Sequence, residues 1–345
     1  MRPALTVKQA GPAVLVQDLG RPGFLADGLS QGGAADRLAM YEGAAILGQG
    51  AELAALELGG FGGVFEATAP VRVALTGAPM QASIDGAPIL MNASHRLNPG
   101  QKLTIGAARS GVYGYLHVGG GLDTDVFLGS RAVHLGAGIG KPVVAGAVLP
   151  LGDDKKLDQT GNVLDISDRC SGGTVRMVES AQTGQFAASE LGRFQATEFK
   201  RDPRGNRQGV RLAADGAPFT VDAGLKILSE IIVPGDIQIT GDGAPYVLLA
   251  ECQTTGGYPR IGTVIPEDLP RVAQTIPGTA LRFELIDMTT ALEIHRAARR
   301  DIAALPRRLR PLIRDPHDIS DLLSYQLISG VTAGDDPPST HEEQP

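Results

Sequence analysis

The stretch "GDIQITGDGAPYVLLAEC", residues 235–252, decides the class of fold. "DIQIT" alternates polar and apolar residues, the two-residue period of a strand with one wet face. "YVLLAEC" is an apolar run rich in strand-forming side chains. Between them sits "DGAP" (242–245), and Asp-Gly between two apolar runs signals a hairpin. The same reading extends along the chain to "AVLVQD" (13–18), "VRVALTG" (71–77), "KLTIGAA" (102–108), "YGYLHVG" (113–119), "TVRMVE" (174–179) and "ALRFELI" (280–286). Helical patterns are few. They are 35–49 with Asp36 as N-cap, 289–305 stopped by Pro306, and 318–328 capped by Asp318 or Ser320. Runs of strands without alternating helices argue against a doubly wound parallel sheet and for a mainly β fold. "DGAP" recurs at 85–88 and 215–218, and "NPGQKLTI" (98–105) echoes "IPGTALRF" (276–283). These echoes fit two β-units of related design with a boundary near 164–174. The expected organisation is an N-terminal unit over 1–165, a C-terminal unit over 172–288, a helical extension over 289–330 and a disordered tail over 331–345.

Composition narrows the function classes. With 345 residues, the chain suits two domains or one large β-domain at roughly 100–200 residues each. Aromatics are 4% and Trp is absent, so aliphatic side chains must fill the core. A net charge of −7 argues against sequence-independent nucleic-acid binding, which needs a basic face. The basic run 295–315 reads as a solvated helix and loop, or as a docking face for a partner. Cys170 and Cys252 form no CxxC pair, which points to a reducing compartment. The N-terminus lacks the apolar core of a signal peptide and no apolar run reaches membrane-spanning length, so the expected location is the cytoplasm. The six histidines show no metal spacing, and no structural metal is expected.

Four segments carry candidate chemistry. "VQDLGRPGFLADGLSQGGAAD" (16–36) delivers Gln17 and Asp18 into a glycine-rich loop, where Arg21 either grips a carboxylate or pairs locally with Asp18. Within it, "GLSQG" (28–32) matches the GxSxG nucleophile motif, but the flanking strand and helix are too far off for a sharp elbow. "GAGIGK" (136–141) resembles a phosphate loop, yet Leu135 and Pro142 occupy positions that need Gly and Ser/Thr. "RGNRQGVRL" (204–212) spaces Arg207 and Arg211 four apart. On a strand both would point into one cleft, or both are simply exposed. Glu230, before an apolar step and a Pro-Gly turn, is either a buried base or a solvated acid. In "ECQTTGGYP" (251–259), Gln253, Thr254, Thr255, Gly256, Gly257 and Tyr258 read as a cradle for a small amide, urea-like or carboxylate group. The double glycine would aim N–H groups at an oxygen, and a cis bond before Pro259 is an option.

Taken in order, "VQDLGRPGF", "GLSQGGAAD", "LTGA" (75–78), "NRQGVRL" (206–212), "SEIIVPGDIQ" (229–238) and "QTTGGYP" resemble the biotin-dependent carboxyltransferase family. That family contains the C-type subunit of the prokaryotic 5-oxoprolinase, has been called allophanate hydrolase subunit 2, and includes the carboxyltransferase part of urea carboxylase. The resemblance implies paired cyclophilin-like β-barrel units around a cleft. It implies two partners, a B-type subunit of related cyclophilin-like design and an A-type subunit of the lactam-utilisation kind. Together the three hydrolyse ATP to open 5-oxoproline into glutamate. On this reading Arg207, Gln253 and Tyr258 are catalytic. Gln17, Asp18, Arg21, Thr76, Arg211, Glu230, Thr254, Thr255, Gly256 and Gly257 bind substrate. Biotin enters only on a carboxyltransferase reading with a urea-like acceptor, and then on another chain. A third reading is a non-catalytic protein that binds a partner. Four positions depart from the family pattern: Asn206 replaces an acid, Val210 a tyrosine, and Glu251–Cys252 an Asp–Arg pair.

Overall fold

Alternation of buried and wet residues builds the N-terminal half. In the strand Ala4–Ala10, Leu5 and Val7 are buried while Lys8 and Gln9 are exposed. This strand belongs to a six-stranded sheet, ordered Val148–Pro150, Ala4–Ala10, Phe61–Ala67, Lys102–Ala108, Met80–Ile84, Ala87–Ile89. A five-stranded sheet runs Val14–Gln17, Ala55–Gly59, Tyr113–Val118, Val71–Gly77, Ser94–Leu97. Leu5, Val7, Phe65, Leu103 and Ile105 of the first meet Val14, Leu56, Leu58, Val73, Leu75 and Leu116 of the second in one aliphatic core. The computed structural model describes residues 2–221 and 227–313. The helix expected at 318–328, the tail 331–345 and the end of the basic run lie outside the described residues.

The second half closes on itself. Seven strands form a barrel in the order Gly173–Val178, Arg260–Val264, Asp236–Ile239, Pro245–Leu248, Gly209–Ala213, Phe199–Arg201, Ala280–Leu285. The seam is a parallel pairing that sets Val175 opposite Phe283. Closure leaves no open edge. Few aromatics are available, and four of them gather here. Phe194, on the helix Ala188–Ala196, stands 4.8 Å from Phe199, 5.4 Å from Phe219 and 5.2 Å from Phe283 between ring centroids.

The fold is thus mainly β with few helices, as the strand pattern indicated. Asp85-Gly86 makes a two-residue turn, both residues at positive φ (49° and 84°), joining Met80–Ile84 to Ala87–Ile89. Asp242-Gly243 lies in a longer loop closed by Thr240 and Ala244. Asp215-Gly216 joins no paired strands. Asp36 caps the helix Arg37–Leu47 by accepting from the Ala39 N–H at 3.2 Å. The C-terminal helix Met288–Ala304 buries only Ala291 along its own length. Leu305, just beyond it, packs on Ala45, Ile46 and Leu47 of the first helix.

The halves share packing as well as chain. Ala34, Ala35, Met40, Tyr113 and Tyr115 belong to the same buried cluster as the barrel interior. Arg169 donates to Asp36 at 2.6 Å and holds Glu42 in a fork at 2.9 and 2.6 Å. Gln274 Oε1 accepts from the N–H groups of Val112 and Tyr113, both at 2.9 Å. A test of the barrel core is Phe194→Ala, which removes the ring at the centre of the phenylalanine cluster. It is expected to lower unfolding stability by about 3–5 kcal/mol in denaturant titrations.

Candidate functional site

The polar residues of the interface converge on Arg207. It precedes the barrel strand Gly209–Ala213 and points back at the N-terminal half. Its Nε donates to Glu251 Oε1 at 2.6 Å, one Nη to Glu57 Oε1, and the other to the Gly33 carbonyl at 2.5 Å. All three ionic side chains are buried. Glu57 Oε2 also accepts from the Tyr115 hydroxyl at 2.7 Å and the Ala35 N–H at 2.8 Å. Burial alone would pull the guanidinium pKa down, but Glu57 and Glu251 outweigh it and hold Arg207 above its ordinary value.

The second oxygen of Glu251 continues the network. It accepts from the Gly136 N–H at 3.2 Å and lies 3.8 Å from His134 Nδ1. His134 Nδ1 accepts from the Ala137 N–H at 3.1 Å. The ring proton therefore sits on Nε2, which donates to Ser30 Oγ at 2.8 Å. Burial keeps His134 below its usual pKa and hence neutral at pH 7. Serine, histidine and acid are aligned, but the protons are placed against a hydrolase triad. A nucleophilic serine needs an unprotonated Nε2 and an N–H on Nδ1 facing the acid. Ser30 in "GLSQG" is accordingly a hydrogen-bonding group and no nucleophile.

Of the sequence-derived candidates, the structure gathers Gln17, Asp18, Arg21 and Arg207 at this end of the interface. Gln17 Nε2 donates to the Val133 carbonyl at 2.9 Å. Asp18 bonds the Gly20 N–H, the Ser130 hydroxyl and the Arg131 N–H at 2.7, 2.6 and 2.7 Å, and Arg21 forms no hydrogen bond with it. Arg21 instead donates to the carbonyls of Phe127 (3.4 Å) and Ala132. Gly32 N–H donates to the Ala250 carbonyl at 3.1 Å, so the early loop and the late segment meet there.

Beyond Glu251 the chain leads elsewhere. Thr255–Gly256 pairs with Glu230–Ile231, and the Thr254 and Gly257 carbonyls accept from Ile232 and Ile227 N–H groups, both at 3.0 Å. Neither Gly256 nor Gly257 has positive φ. A Cβ at Gly256 would fall 2.5 Å from Gln238 Nε2, so a larger residue there displaces the Gln238 amide. Gln253, Thr255 and Tyr258 are exposed, and the bond before Pro259 is trans. Glu230 is a half-exposed partner of Arg260 (2.8 Å) and Gln182 (2.6 Å). Arg211 does not share a cleft with Arg207. It pairs with Asp242 at 2.6 Å on the barrel exterior, because Arg207 lies outside the strand and the four-residue spacing does not apply. Two cavities, of about 200 and about 640 Å³, lie away from these residues, against Ile166–Cys170 and along Met80–Ser83.

Sequence reasoning missed Glu57, Tyr115 and His134. Glu57 carries a legible signal: a lone acid inside "ALELGG", a run otherwise too apolar to leave a charge without a partner. Glu251, read as a departure from a family pattern, proves to be the shared partner of Arg207 and the 134–137 turn.

Thr76 is walled off beneath the first helix. Its hydroxyl donates to the Ala39 carbonyl at 3.0 Å, so His117 Nε2–H must donate to Thr76 Oγ1 at 2.8 Å. Complete burial pushes His117 down to about 4. The unfolded chain, with an ordinary value near 6.5, takes up a proton that the folded one refuses. This contribution to stability is whole above pH ~6.5 and is lost as pH falls toward ~4, by roughly 3 kcal/mol. Urea titrations from pH 8 to 4 should show that loss in the wild type, and a flatter profile in His117→Gln.

Comparison with known proteins places this architecture. The family model "Carboxyltransferase domain, subdomain A and B" matches residues 27–285. The chain is 30% identical over 311 residues to the C-type subunit of 5-oxoprolinase from Escherichia coli, covering 88% of this chain and 98% of that protein. It is 30% identical over 285 residues to the Haemophilus influenzae protein of the same name, covering 81% and 91%. Among solved structures, K. lactis urea amidolyase superposes with a TM-score of 0.79 at 20% identity, over 92% of this chain and 21% of that one, a likeness of fold alone. Among the described residues no helix is long and apolar enough to cross a membrane. The chain belongs to the carboxyltransferase domain, subdomain A and B, family.

Proposed function

We propose that this protein is the C-type component of a multi-protein, ATP-dependent amidohydrolase that opens 5-oxoproline or a closely related lactam. The observation that carries the reading is the near end-to-end similarity to the C-type 5-oxoprolinase subunit of E. coli, which spans 98% of that protein. The interface chemistry supports it. Arg21, whose Nη1 has no hydrogen-bond partner among the described residues, supplies a buried cationic donor, and the Ser30 hydroxyl supplies a neutral one. Donors fixed in a water-poor site stabilise negative charge developing on an acyl oxygen.

An unstrained amide opens slowly at neutral pH, and coupling to ATP would turn its oxygen into a phosphorylated, activated centre. The Gly-rich turn 136–141 does not fit a phosphate. Four of its six N–H groups are spent: Gly136 on Glu251, Ala137 on His134, Gly138 on the Leu135 carbonyl and Ile139 on the His134 carbonyl. ATP therefore belongs on a partner in this proposal, the partners being a related B-type protein and an A-type protein of the lactam-utilisation kind. A carboxyltransferase served by biotin on another chain is the competing reading.

Reconstitution tests the proposal. The chain combined with both partners should release glutamate from 5-oxoproline only when ATP is present, and omitting this chain should abolish release. No release in any combination, together with decarboxylation of carboxybiotin, would establish the competing reading.

A further inference from the structure

The larger cavity, of about 640 Å³, is a groove on the outer face of the six-stranded sheet, at the end that carries the edge strand Ala87–Ile89. The strands that floor it turn their apolar sides inward: Ala82, Ile84, Leu103 and Ile105 all pack into the N-terminal core. Side chains alternate along a strand, so Ser83 and Thr104 face outward. They stand opposite one another, and Pro88 stands across from Ser83 on its other side. Met80 pairs with Ala108 but Ala82 pairs with Ile105, which sets Gly106 and Ala107 against Gln81 alone. Such a bulge bends a sheet, and the groove lies on the bent surface. Leu90, which is 60% exposed, and Met91 form its apolar wall. Arg109 stands at the bulged end, directly after Ala108.

The polar lining is made of donors. Gln81 offers an amide NH₂, Ser83 and Thr104 offer hydroxyls, and Arg109 offers a guanidinium. Among the described residues no acid lines the groove, and no carboxylate pairs with Arg109. We infer that the groove binds a small organic monocarboxylate with an apolar body, its head held by Arg109 and its body laid against Leu90 and Met91. The planar guanidinium fork matches a carboxylate, and a charge-assisted bond is stronger than a neutral one. A single free cation matches a single negative charge. The volume lies in the usual range of small-molecule sites, about 300–1,000 Å³. The edge strand argues against a peptide that adds itself as a further strand. It is three residues long, and Pro88 at its centre has no N–H to give a new neighbour. The groove lies away from Arg207 and its partners, so the site is separate from the chemistry of the interface and does not depend on the amidohydrolase reading.

The test titrates the full chain with hexanoate and follows the methyl signals of ¹³C-labelled methionine by NMR. Of the six methionines, Met80 and Met91 line the groove. Hexanoate should shift the Met91 signal saturably, with a dissociation constant of about 1 mM or tighter. Met40 and Met177, buried in the other core, should not move. Hexanamide has the same chain and no charge, and should bind at least about tenfold more weakly. Arg109→Gln should weaken hexanoate binding by a similar factor. Gly106→Leu should abolish it by filling the groove. A Cβ at Gly106 would meet only the Gln81 carbonyl oxygen at 3.6 Å and Gln81 Cβ at 3.9 Å, ordinary contacts that the fold accepts. Unchanged Met40 and Met177 signals would show that both variants are folded. The inference is overturned if Met91 shows no saturable shift, if hexanamide binds as tightly as hexanoate, or if either variant binds hexanoate at full strength.

Discussion

A single buried guanidinium, Arg207, joins the two halves of this protein. It comes from the barrel, yet two of its three acceptors, Glu57 and the Gly33 carbonyl, belong to the N-terminal half, and Glu251 comes from its own. Burying three charges is unfavourable unless each is matched. Here matching requires the strand Ala55–Gly59, the loop ending at Gly33 and the segment after Leu248 to lie in one relative position. That constraint also places Glu251 against the 134–137 turn, and through it His134 and Ser30. The arrangement of the site follows from the arrangement of the interface.

Much of the fold was legible. Strands such as Val71–Gly77 and Lys102–Ala108 emerge from β-branched and aliphatic runs bounded by turn residues, and the Asp36 cap marks the first helix. The helices Ala188–Ala196 and Leu269–Gln274 were not legible. The first has a single buried residue, Phe194, so it shows no apolar stripe for periodicity to detect. The second is six residues long and opens on a proline. The strand Phe61–Ala67 escaped because Gly62 and Gly63 dilute its pattern, although both are buried. Each of these elements is fixed by tertiary packing more than by its own propensity.

The site divides in the same way. Arg21 and Arg207 stand out locally as cations in glycine-bearing loops, and the sequence points to them. The grouping does not follow from local spacing. Arg207 and Arg211 part company because a strand begins between them, and "QTTGGYP" turns away from the early loop soon after the Ala250 carbonyl has met the Gly32 N–H. Glu57 and His134 lie far from Arg207 in sequence and acquire meaning only when the halves pack. A charge inside an apolar strand is the local sign of such a long-range partner, and Glu57 is the case in point.

The most direct measurement of the central claim is a double-mutant cycle on Arg207→Met and Glu57→Gln, read as unfolding free energy. Arg207→Met should cost about 3–5 kcal/mol, because it strands two buried carboxylates, and Glu57→Gln should cost less, because Arg207 keeps Glu251. The double change should cost about 2 kcal/mol or more less than the sum. Costs that add to within about 0.5 kcal/mol would show that the two residues act independently, and would contradict an interface organised around Arg207.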